Sequence, residues 1–95
     1  MKICHVVGSV WATKKDARLE GAKLMLVRPL YDSKKETLIA ADYVGAGIGE
    51  TVLVVTGSTA RFASNKEGAP VDASIVGIVD CVEVAESEKE YYGEV

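Results

Sequence analysis

The feature that most constrains this chain is the shortness of its apolar runs. Five of them stand out: Lys2–Ala12 (KICHVVGSVWA), Lys23–Arg28 (KLMLVR), Thr37–Val44 (TLIAADYV), Thr51–Thr56 (TVLVVT) and Ile75–Val84 (IVGIVDCVEV). Most are rich in Val and Ile and bounded by Gly, Pro or charged residues, the pattern of strands. KLMLVR could be helical by propensity, but its length and the following Pro29 favour a strand. Gly8 marks a bend or bulge in the first strand. Thr13–Gly21 reads as a loop or a single helical turn, and Asp32–Glu36 (DSKKE) as a polar turn. Ser58 is a plausible N-cap, so Ser58–Phe62 reads as one short helix between the fourth and fifth strands. Ser64–Gly68 is a loop. Strands at this spacing predict an all-β sandwich or barrel.

With 95 residues the chain suits one domain, expected over residues 1–85, followed by a charged tail at 86–95 that is mobile or ordered only against a neighbour. So small a core buries only about 60–65% of the unfolded surface. Yet 48% of residues are hydrophobic, which leaves apolar surface for a partner subunit to cover. The net charge of −3 argues against non-specific nucleic-acid binding, which rests on neutralising phosphates. No apolar run approaches the roughly 18 residues of a membrane span, and His5, Gly8 and Ser9 interrupt any signal-peptide core. The expected location is the cytoplasm, and in its reducing environment Cys4 and Cys81 read as two buried thiols. No CxxC-like pair suggests zinc.

The stretch DYVGAGIGET (Asp42–Thr51) looks at first like a phosphate cradle. A dinucleotide fingerprint, however, is G-x-G-x-x-G running into a helix. Here the spacing is G-x-G-x-G, and TVLVV follows, which is a strand. No helix N-terminus would face a pyrophosphate, and no Lys-Ser or Lys-Thr pair makes a P-loop. The glycines therefore read as a strand-to-strand connection that needs φ > 0 or close approach of another backbone.

Catalytic candidates are few. His5, the only histidine, reads as a hydrogen-bonded residue on a strand. Asp42, Asp72 and Asp80 read as carboxylates that satisfy turn amides. No spacing supports a Ser-His-Asp or Cys-His arrangement. A nucleic-acid-binding barrel would interleave aromatics with basic residues; here the aromatics are scattered, with Tyr91 and Tyr92 in an acidic tail. The expectation is a protein with no catalytic residues, no metal, no cofactor and no nucleic-acid partner.

Four segments resemble the EutN/CcmL family, the pentameric vertex proteins of bacterial microcompartment shells: VVGSVWATKK (Val6–Lys15), LEGAKLMLVRPL (Leu19–Leu30), ADYVGAGIGETVLVVTGSTAR (Ala41–Arg61) and APVDASIVGIVD (Ala69–Asp80). The third is the most specific, a GAG-x-G loop followed by a strand and G-S-x-A-R. The resemblance implies a five-stranded OB-like β-barrel with a short helix, assembled as a homopentamer that caps the five-fold vertices of the shell, with hexameric shell proteins as neighbours. A hexamer is the competing ring size. A ring also suggests two sites. The glycine loop, Gly45, Ala46, Gly47, Ile48, Gly49 and Glu50, is expected to border an opening at the axis. The turn Gly57, Ser58, Thr59, Ala60, Arg61 and Phe62 is expected at the subunit interface, because a one-turn helix has little barrel core of its own to cover and Arg is enriched at interfaces.

Overall fold

The computed structural model describes residues 1–13, 15–34, 36–58, 60 and 70–92. Five strands form a closed barrel in the order β1-β2-β3-β5-β4: β1 (Lys2–Val10), β2 (Lys23–Pro29), β3 (Leu38–Asp42), β4 (Thr51–Thr56) and β5 (Ala73–Ile78). β1 pairs antiparallel with both β2 and β4. The barrel closes through a short parallel seam between β3 and β5, with Ala41 opposite Ser74 and Asp42 opposite Ile75.

Strand alternation builds the core. Cys4, Val6, Met25, Val27, Ala40, Val52, Val54, Ala73 and Ile75 point inward and are buried. A barrel of five strands is narrow. Its interior takes Val and Ala rather than rings, which explains a chain rich in small aliphatics and poor in aromatics. The expected irregularity at Gly8 is present: the β1–β2 register shifts between Val6 and Gly8, pushing Val7 out of the ladder.

A second cluster lies on the outer face, where Ala41, Ala60 and Val71 are buried against Leu19, Leu24, Tyr43 and Val55. Leu24 and Ala41 are cross-strand partners, on the opposite side from Met25 and Ala40. Ser74 Oγ, also on this face, donates 2.8 Å to the Ala60 carbonyl. The Ala60 segment thus covers the parallel seam, where only two residue pairs join the strands. The turn is expected to have little barrel core of its own to cover; of its described residues, Ala60 is buried in this outer-face cluster.

Two further expectations change at the C-terminal end. β5 stops at Ile78 instead of Val84. Its partner β4 begins at Thr51, so after the Val52–Ile78 pair and the Val79 N–H to Thr51 carbonyl bond of 2.8 Å no ladder is left to extend. Cys81 therefore lies beyond the barrel and is exposed, whereas Cys4 is buried as expected. The tail is expected to be mobile or ordered only against a neighbour; its described residues, as far as Tyr92, form a 3-10 turn (Glu86–Glu88) and a one-turn helix α1 (Lys89–Tyr92). Tyr92 packs edge-on against Tyr31, with ring centroids 4.8 Å apart.

Candidate functional site

The glycine loop joins β3 to β4 at one end of the barrel, and two carboxylates organise it from within. Asp42 is the last residue of β3, and its side chain is fully buried. Its Oδ1 accepts from the amides of Val44 (3.0 Å) and Gly45 (3.2 Å), and its Oδ2 from the amide of Ala46 (2.8 Å). The half-buried Glu50 accepts from the Gly47 amide through Oε1 at 2.6 Å. Lys23, at the start of β2, places Nζ 3.0 Å from the Ala46 carbonyl and 3.5 Å from Asp42 Oδ2. The bulged strand holds the far side: the Gly49 amide donates to the Val6 carbonyl (2.8 Å), and the Val6 amide donates to the Glu50 carbonyl (2.9 Å).

The glycines have different reasons to be there. Gly45 and Gly49 take φ of 82° and 94°, a region that disfavours a side chain. Gly47 does not. A Cβ there would sit 3.3 Å from Glu50 Oε1 and press on the carboxylate that caps its own amide. The expected need for positive φ is thus met at two positions, and a tight approach explains the third.

The loop is not built as a phosphate nest. Six of the seven amides from Val44 to Glu50 are already committed, to Asp42, Glu50, the Val6 carbonyl and the Gly47 carbonyl. Two carboxylates sit where an anion's charge would be needed, and β4 follows in place of a helix. The outward surface of the loop is Val44, Gly45, Ile48 and Gly49, all exposed, while Ala46 is buried. Charge is turned in and apolar groups are turned out, the reverse of an ordinary solvated turn.

Of the expected interface residues, Gly57 and Ser58 are exposed, and Ala60 is buried within its own chain. Thr59, Arg61 and Phe62 lie outside the described residues. The glycine loop and this turn are separate features, joined by the length of β4. His5 behaves as expected: its Nδ1 shares a hydrogen bond of 3.0 Å with Thr51 Oγ1, its cross-strand partner. Among the described residues no three His, Cys, Asp or Glu side chains come together as a metal site. Sequence reasoning had counted Asp42 as a residue for turn amides, and an Asp three before a glycine is a usable signal for that. It missed Lys23 and the Val6 backbone, which reach the loop only through the register of β1 and β2.

Similarity to known proteins decides the family. The family profile described as "Ethanolamine utilisation protein EutN/carboxysome" (EutN_CcmL) matches residues 1–80. The chain belongs to the EutN/CcmL family. A carboxysome shell vertex protein CcmL from Synechocystis sp. is 45% identical over 89 residues, covering 90% of this chain and 88% of that protein. The structure of Gloeobacter violaceus CcmL superposes with a TM-score of 0.79 at 39% identity, covering 88% of this chain and 90% of that one. The structure of GrpN from Rhodospirillum rubrum, described as a pentameric microcompartment shell protein, matches with a TM-score of 0.76 at 42% identity, covering 90% of this chain and 100% of that one. The EutN/CcmL resemblance read from the sequence, and the barrel it implied, are borne out.

Proposed function

We propose that five copies of this chain close head to tail into a ring that caps the five-fold vertices of a bacterial microcompartment shell in the cytoplasm, its rim meeting hexameric shell proteins. The family carries the coarser part of this reading: the chain is a structural shell vertex protein and not an enzyme. The observation that supports five subunits is the 42% identity to GrpN, a shell protein described as pentameric, over 90% of this chain. The geometric need is plain. A flat hexagonal sheet closes into a polyhedron only where five-fold points interrupt it.

The surface of the isolated barrel suits such an assembly. Val7, Ile39, Val76 and Ile78 are exposed around it, apolar area that a neighbouring copy would remove from water. A head-to-tail contact must close into a ring or grow without limit, and a stable one buries at least about 1,200 Å². In this ring the Gly45–Glu50 loop borders the axis, and the Gly57–Phe62 turn lies at the subunit contact. No helix among the described residues is long and apolar enough to cross a membrane.

Native mass spectrometry tests the reading. The expected species has five times the 10.1 kDa chain mass. A monomer throughout the micromolar range overturns the assembly, and a species of six chains overturns the vertex role. Arg61→Ala tests the second contact: the ring should dissociate at higher concentration than the parent, and an unchanged midpoint removes Arg61 from the interface.

A further inference from the structure

We propose that the exposed face of the glycine loop is a self-association surface whose Ile48 side chains meet around the five-fold axis, making the opening an apolar collar with no affinity for anions. This rests on the pentameric reading and adds the chemistry of its centre.

Three observations carry it. The loop is rigidly held: Asp42, Glu50, Lys23 and the Val6 backbone fix it from four directions. It nonetheless exposes apolar residues, with Ile48 at 65% and Val44 at 42%, and the bulged Val7 stands exposed beside the strand position to which the loop is bonded. A loop held this way keeps such side chains at the surface, apolar area that a second copy would remove from water. Finally, ideal Cβ atoms on Gly45 and Gly49 would meet nothing within 4 Å. The space over both glycines is open to a second backbone. The occupant of stated chemistry is a copy of the same loop, because the exposed side chains, Val44 and Ile48, are aliphatic and match their own copies, while the Asp42 carboxylate is fully buried and Glu50 Oε1 is held by the Gly47 amide.

The collar's selectivity follows from the same bonds. Backbone amides draw anions to glycine loops, but here six of the seven are taken, four by Asp42 and Glu50 and two by the Val6 and Gly47 carbonyls. What faces outward is aliphatic. An apolar constriction of this kind resists the passage of hydrated ions by dewetting.

In a head-to-tail ring a residue comes close to its own copy only near the rotation axis. Ile48→Cys, combined with Cys81→Ser to remove the exposed thiol, is therefore a direct test, since a disulfide needs Cα atoms within about 7 Å. Mild oxidation of the assembled variant should give covalent dimers, with one chain of each ring left over. A ring that is pentameric by native mass yet forms no dimers overturns the collar and leaves the vertex reading standing. A chain that is monomeric throughout overturns both. As a second measurement, phosphate titrated against the assembled, unsubstituted protein should leave the amide resonances of residues 44–49 unmoved. A saturable shift at those amides overturns the claim on anions.

Discussion

Asp42→Asn is the most informative single substitution, because it keeps the side chain's shape while removing one acceptor and the charge. Asn can hold the Val44 and Gly45 amides with its carbonyl oxygen. Its NH₂ group then faces the Ala46 amide, which donates to Asp42 Oδ2 at 2.8 Å: donor against donor, at a side chain that is fully buried. Losing that charge-assisted bond and orphaning a buried amide costs about 1.5–3 kcal/mol. Turning the two remaining bonds, of 3.0 and 3.2 Å, from charged to neutral acceptors adds about 1 kcal/mol. The Lys23 contact at 3.5 Å counts for little, since that lysine is 58% exposed. The sum, about 3 kcal/mol, is a large share of the roughly 5–15 kcal/mol that holds a domain together. At about 4–8 °C per kcal/mol for a domain of this size, Tm should fall by roughly 10–25 °C. Thermal unfolding followed by circular dichroism, at one protein concentration because assembly couples to Tm, makes the measurement. Amide exchange at Ala46 gives the local readout and should accelerate. A Tm within about 3 °C of the parent, with Ala46 exchange unchanged, refutes the idea that the buried carboxylate organises this loop.

Three further outcomes follow. Gly49→Ala, at φ 94°, should lose about 1–2 kcal/mol in urea unfolding; no change in midpoint would mean that the loop relaxes freely. Burial raises the pKa of the Cys4 thiol, which keeps it protonated and unreactive above the pH at which an exposed thiol ionises. The folded protein should thus titrate one thiol with Ellman's reagent at pH 8, Cys81, and two in denaturant; two fast thiols in the folded state would contradict the buried position of Cys4. Truncation after Ala85 removes the Tyr31–Tyr92 ring contact and should cost about 0.5–1.5 kcal/mol while leaving the barrel's far-UV spectrum intact; a chain that no longer folds would place the tail inside the domain.

By itself the sequence determined the elements whose causes are local. β4 is legible to the residue because TVLVVT is β-branched and bounded by the polar Glu50 and by Gly57. The β1 bulge was visible in Gly8. That the glycine loop connects two strands was readable because TVLVV follows the glycines, which left no helix to face a phosphate. The family was legible in the spacing of its motifs. Tertiary structure decided whatever depends on a partner strand. β5 ends at Ile78 because β4 supplies nothing beyond Thr51 to bond with, although Val79, Val82 and Val84 have the pattern of a longer strand. Cys81 is exposed for the same reason. The parallel seam of β3 and β5, and Ala60 covering it, join residues far apart in the chain, which no local pattern encodes. The same holds for Lys23 and Val6 at the glycine loop. The hydrogen bonds of a barrel follow register, and register is set only when all five strands close on one another.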